Sequence, residues 1–207
     1  MNDDIETIEY KGHIIHIRPD DATEDPRNWD NLGTMTCFHK RYNLGDKHLM
    51  SIDQFQEWLK ENEHNLIILP LYLYDHSGIT MRTYSFNDRW DSGQVGYIYV
   101  TKEKAKKDFN FNCEDLTEEQ IDKIKEILRQ EVATYDKYIT GNVCGYIIEE
   151  PNFEDSCWGF YEIKDAIEDA KGSIDGNIKE LELMEFRTIG QMMAVSLSGV
   201  EAVDSCV

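Results

Sequence analysis

The chain has 207 residues and 41 Asp plus Glu against 21 Lys plus Arg, a net charge of −20. That balance works against direct binding of nucleic acid, whose affinity comes mostly from cationic neutralisation of phosphates, and against anionic membrane surfaces. Hydrophobic residues make up 41% of the chain and aromatic residues 11%, enough for a packed core. At roughly 150 residues per domain, the length predicts one α+β domain over 1–172 and a C-terminal extension over 173–207.

Residues 5–18 read as a β-hairpin: Ile15 and Ile17 alternate with His16 and Arg18, and Lys11-Gly12 supplies the turn. A polar stretch with Pro26 follows as a loop, then a β-prone segment over 33–41. Ser51 and Gln54 have capping-box spacing and open a helix whose Ile52, Phe55, Trp58 and Leu59 share a face. Residues 65–74 (NLIILPLYLY) predict a buried strand with a bulge or an edge at Pro70, which has no ladder donor. Further strands are expected over 79–84 and 95–100, then a short basic helix over 102–107.

The clearest helix runs over 117–139. Thr117 and Gln120 form a second capping box, and Ile121, Ile124, Leu128, Val132 and Tyr135 recur with a period near 3.6. Strands over 143–149 and 157–161 follow, joined by an acidic loop, and a helix over 162–171 ends at Gly172. Residues 178–186 alternate, and the tail beyond 188 is apolar and low in charge. Strand pairs in sequence order favour hairpins over parallel crossovers. The expected fold is therefore α+β, with a mainly antiparallel sheet, one long amphipathic helix over 117–139 and shorter helices.

The N-terminus is acidic and lacks the basic-then-apolar layout of an export signal, so a cytoplasmic location is expected. Five widely spaced cysteines without a CxxC pair argue against a disulfide framework or a zinc ribbon. There is no P-loop, GxGxxG fingerprint, GxSxG elbow or HExxH motif, and no cofactor or metal is expected.

Residues 143–207 carry 14 acids and 4 bases, half of the net charge. Glu149, Glu150, Glu154, Asp155, Glu162, Asp165, Glu168 and Asp169 cluster there. On a helix, acids at i, i+3, i+4 and i+7 recur about every 5–6 Å, a row able to imitate phosphates in a cationic groove. Lys164 and Lys171 dilute it. Trp158 and Tyr161 are the expected aromatic anchors beside these acids. The same charge pattern also suits a merely solvated surface.

A second cluster combines Cys37, His39, Asp75 and His76, with Arg41, Arg82 and Arg89 as local cations. A Cys nucleophile (Cys37 or Cys157) with a His base, or a metal held by His39, His76 and Asp75, is chemically conceivable. Burial of cysteine as a small hydrophobe is the commoner arrangement, so a non-enzymatic protein is expected. A small-molecule binder, such as a signalling-nucleotide sponge, is the alternative use of Cys37, His39, Asp75, His76, Arg82 and Arg89. A structural or regulatory accessory role is a further alternative.

The blocks PRNWDNLGTMTCFHKRYNLGDKH, YDHSGITM, WDSGQVGYIYV and DSCWGFY resemble a family of small acidic proteins encoded by phages, plasmids and integrative elements. The resemblance implies a mobile-element setting and, through it, an anti-defence role. The expected protein is an inhibitor of a host nuclease, anti-CRISPR or anti-restriction. Its expected partner is a basic Cas effector or restriction enzyme.

Overall fold

The computed structural model describes residues 4–88, 90–150 and 153–200, except for the side chains of 150, 153, 154 and 190–200. In chain order the elements are β1 (Glu6–Tyr10), β2 (His13–Pro19), β3 (Thr34–Cys37), α1 (Ile52–Asn62), β4 (Leu66–Asp75), β5 (Ile79–Arg82), β6 (Ser92–Thr101), α2 (Lys102–Asp108), α3 (Glu118–Ile139), β7 (Cys144–Glu150), β8 (Phe153–Phe160) and α4 (Ile163–Val200). Every strand pairing among the described residues is antiparallel, so the fold is α+β as expected.

The strands form two sheets rather than one, and the chain divides into two compact units, Met1–Asp20 with Cys144–Val207, and Asp21–Val143. The expected single domain over 1–172 with an appendage after it does not describe this division. In sequence, the second unit is an insertion between β2 and β7 of the first.

The first unit has a sheet of order β1-β2-β7-β8 with α4 on one face. Lys11 and Gly12 both have positive φ, the two-residue turn geometry that matches strand twist. Ile15, Ile17, Tyr146 and Ile148 alternate onto the helix-facing side and bury against Ala166, Ala170 and Ile174. Two expectations fail here. The predicted acidic loop is mostly strand, because Ile147, Ile148 and Glu149 pair with Ser156, Asp155 and Glu154. Ladder pairing overrides the weak strand propensity of those acids. The predicted helix stop at Gly172 is also absent, since α4 runs through Gly172 and Gly176. Ala166, Ala170 and Ile174 recur every four residues against the sheet, and that packing outweighs the roughly 1 kcal/mol that each interior glycine costs. A second long helix thus stands where a short one was expected.

The second unit has a sheet of order β3-β6-β4-β5. Ile124, Leu128, Val132 and Tyr135 of α3 pack with Ile67, Leu71, Leu73, Met81 and Ile98 in one core. Across the sheet, Phe55 and Trp58 of α1 meet Tyr97 and Tyr99 at ring distances of 5.1–5.9 Å. Both capping boxes form, at Ser51/Gln54 and Thr117/Gln120. Of the two alternatives expected at Pro70, the edge is found there, while the bulge lies further along the strand and Pro70 stays in register with Tyr97. The ladder shifts register between Leu71 and Tyr72, and β5 covers only Tyr72 to Asp75, leaving β4 without β5 beside it at Pro70.

Arg27 ties the loops of this unit to α3. Its guanidinium donates to Asp46 (2.8 and 2.9 Å), to Glu131 (3.1 Å) and to the Gly33 carbonyl (2.7 Å). Those carboxylates accept in turn from the backbone N–H groups of Leu32, Gly33 and Met35. Every member of this largely buried network has a partner, the condition under which buried charge is tolerated.

Candidate functional sites

Two groups of chemistry-bearing side chains assemble, one in each unit. In the first unit, Asp155 of β8 and Asp165, Glu168 and Asp169 of α4 line a concavity of about 680 Å³, with Tyr146, Phe160 and Ser173. Position 155 pairs with core-facing Ile148, so Asp155 looks toward the helix. The three helix acids sit at i, i+3 and i+4 and so share a face. The Tyr146 hydroxyl donates to Asp169 (2.9 Å) and the Ser173 hydroxyl to Asp155. Burial, then the bond to Asp169, pushes the Tyr146 phenol well above its usual range, so it stays a donor. Lys171 leaves this face for the Tyr10 ring, 5.4 Å from its centroid. Lys164 remains, 3.6 Å from Glu168.

The expected partner-binding set does not all converge. Glu149 and Trp158 occupy the sheet face away from α4. Glu149 follows core-facing Ile148, and Trp158 lies across Gly145, where a Cβ would come within 2.4 Å of the indole. Trp158 is 45% exposed but is not an anchor beside the helix acids. Tyr161 is half-buried with its hydroxyl enclosed, and Glu162 is exposed just before α4. The side chains of Glu150 and Glu154 lie outside those described.

In the second unit, His39, Arg41, Leu73, Asp75, Trp90, Asp91, Ser92, Gly93 and Val95 line a pocket of about 310 Å³. The Asp75 carboxylate accepts from the Arg41 guanidinium and from the Tyr42 hydroxyl (3.4 Å). The His39 Nδ1 accepts from the backbone N–H groups of Arg41 and Tyr42, both at 3.3 Å. That assigns the ring proton to Nε2, 4.0 Å from Asp75. Burial, then the Arg41 charge, lowers the His39 pKa and favours the neutral ring. His76 Nδ1 lies 2.9 Å from Asp91.

The other members expected in this cluster are elsewhere. Cys37 is buried in the core, where burial pushes its thiol up to about 12, so it has no thiolate to offer as a nucleophile near neutral pH. The Arg82 guanidinium donates to the Tyr84 and Ser85 carbonyls and stacks on Tyr84 and Phe86, at 4.2 and 3.7 Å. It lines a separate groove against α3. Arg89 lies outside the described residues. Among the described residues, no three His, Cys, Asp or Glu side chains are placed to hold a metal, so His39, Asp75 and His76 do not form the conceivable metal site. No helix among them is long and apolar enough to cross a membrane.

Trp90, Asp91 and Ser92 belong to the site but were not among its expected members; the block WDSGQVGYIYV carries part of the family resemblance. Tyr146 and Ser173 carried no signal, because their role comes from pairing across the sheet and helix. Comparison with protein-family models, curated proteins and solved structures finds no match.

Proposed function

We propose that this chain is an acidic protein of a mobile element that inhibits a host defence nuclease by occupying its basic nucleic-acid groove. The observation that carries the reading is the carboxylate-lined face of the first unit. Asp155, Asp165, Glu168 and Asp169 bound one concavity, with Glu162 exposed just before α4. That unit holds 19 acids against 6 bases, a net −13, whereas the second unit is net −7. A cationic groove built for phosphates meets on this face carboxylates spaced about 5–6 Å apart along α4. The acids govern association rate and salt sensitivity, and shape complementarity governs the residence time.

The test is retention of a basic nuclease from host lysate on the immobilised full chain. Retention is expected at low salt and loss at about 0.5 M, where screening shortens to a few ångströms. Joint reversal of Glu162, Asp165, Glu168 and Asp169 to Lys is expected to abolish retention at low salt. Undiminished retention by that variant would remove the proposal.

A further inference from the structure

The pocket of the second unit is independent of the acidic face and has different chemistry. Three separate segments build it, around residues 39–41, 73–75 and 90–95. Its floor is apolar, from buried Leu73 and Val95. Its walls hold the Arg41–Asp75 ion pair and the Asp91 carboxylate, which lies 2.9 Å from His76 Nδ1 just outside the lining. At the rim stands Trp90, 94% exposed. The backbone of Trp90 and its C-terminal neighbours is tied by hydrogen bonds. The backbone N–H groups of Trp90 and Asp91 both donate to the Asp88 carboxylate (2.8 and 2.9 Å), and Asp75 N–H donates to the Asp91 carbonyl (2.8 Å). Ser92 Oγ donates to the Asp88 carbonyl, and Ser92 pairs with Tyr74 at the end of the β4–β6 ladder. The backbone that carries this large, flat, exposed ring is thus fixed beside a polar cavity.

These features select a ligand class. A pocket of this volume admits a small molecule. An exposed indole stacks on flat π-systems irrespective of their identity. Asp75 and Asp91 each keep lone pairs beyond those their partners use, and ionised carboxylates only accept, so the ligand must bring hydrogen-bond donors, which on a flat ring system are N–H groups. Among the described residues the walls carry two carboxylates and one guanidinium, that guanidinium is paired with Asp75, and Arg82 points into another groove, a balance that disfavours phosphate. The net charge of −20 opposes a polynucleotide as well. We infer that this pocket binds a free nucleoside through a base carrying an exocyclic amine. The base stacks on Trp90, and its amine donates to the Asp75–Asp91 wall.

The test is isothermal titration calorimetry on the full chain with cytidine, adenosine and guanosine. Uridine, a methyl glucoside, cytidine monophosphate and a short oligodeoxycytidine serve as comparisons. Saturable binding is expected for the amine-bearing nucleosides. Uridine, which differs from cytidine in the exchanged amine, is expected to bind several-fold more weakly, and the phosphorylated ligands no better than cytidine. Trp90→Ala is expected to weaken cytidine roughly tenfold or more. Asp91→Asn is expected to narrow the gap between cytidine and uridine. Both changes are at accessible positions, and unchanged thermal melts will show that the fold is retained. The inference is overturned by absence of saturable nucleoside binding, by equal affinity for cytidine and uridine, by an unaffected Trp90→Ala protein, by tighter binding of the oligonucleotide, or by a sugar that binds where nucleosides do not. None of these outcomes touches nuclease retention through the acidic face.

Discussion

At the scale of single residues, burial separates reactive groups from inert ones. Cys37 and Cys157 are both free thiols, yet Cys37 is buried with its thiol up at about 12, while Cys157 is exposed. Iodoacetamide near pH 8 followed by mass spectrometry is expected to label Cys157 in the native protein and Cys37 only after denaturation. Asp4 shows the opposite direction of shift. Hydrogen bonds from Arg18, then His16, hold its carboxyl at about 2, below the ordinary value of 3.8. A carboxyl depressed by folding adds stability that is complete above its unfolded pKa and is lost as pH falls through the folded one. Acid titration of thermal stability is therefore expected to show a loss between about pH 4 and pH 2 that Asp4→Asn reduces. Arg27 is the most exacting position. Arg27→Ala leaves Asp46 and Glu131 facing each other without their shared cation, with an expected loss of about 3–5 kcal/mol in denaturant unfolding.

At the scale of elements, glycines reveal how far packing overrides propensity. Gly172 and Gly176 sit inside α4, and an added Cβ at either meets no atom within 4 Å. Gly172→Ala and Gly176→Ala are each expected to stabilise the protein by about 0.5–1 kcal/mol in denaturant unfolding, because alanine restricts the unfolded chain and suits the helix. Gly96 is the contrary case: its Cβ would lie 2.0 Å from the Thr36 carbonyl oxygen of the neighbouring strand. Gly96→Ala is expected to lower the melting temperature by forcing β3 and β6 apart. Capping boxes at Ser51 and Thr117 were legible because their chemistry is local. The continuation of α4 was not, because Gly172 and Gly176 read as a stop until Ala170 and Ile174 have a sheet to pack on.

At the scale of the whole molecule, the inserted unit Asp21–Val143 has its own contiguous chain, sheet and core. A fragment spanning these residues is expected to fold alone, with a cooperative thermal transition and near-ultraviolet circular dichroism from its ordered aromatic side chains. A non-cooperative melt would show that its core is insufficient without the flanking segments. The first unit is split in sequence and depends on β2 meeting β7 across the insertion. The uneven charge, net −13 against −7, follows the same division.

By itself the sequence determined most element types up to β7, the hairpin turn, both capping boxes, the α+β class and the concentration of acid in the last third. All are properties of neighbours along the chain, set by periodicity, turn residues and local hydrogen bonding. Tertiary structure alone decided that there are two sheets, that Trp158 leaves the helix acids while Asp155 joins them, and that Cys37 and Arg82 part from His39 and Asp75. The reason is physical. Which face a strand residue takes depends on register with a partner distant in sequence, and a one-residue change of pairing moves a side chain to the opposite side of the sheet.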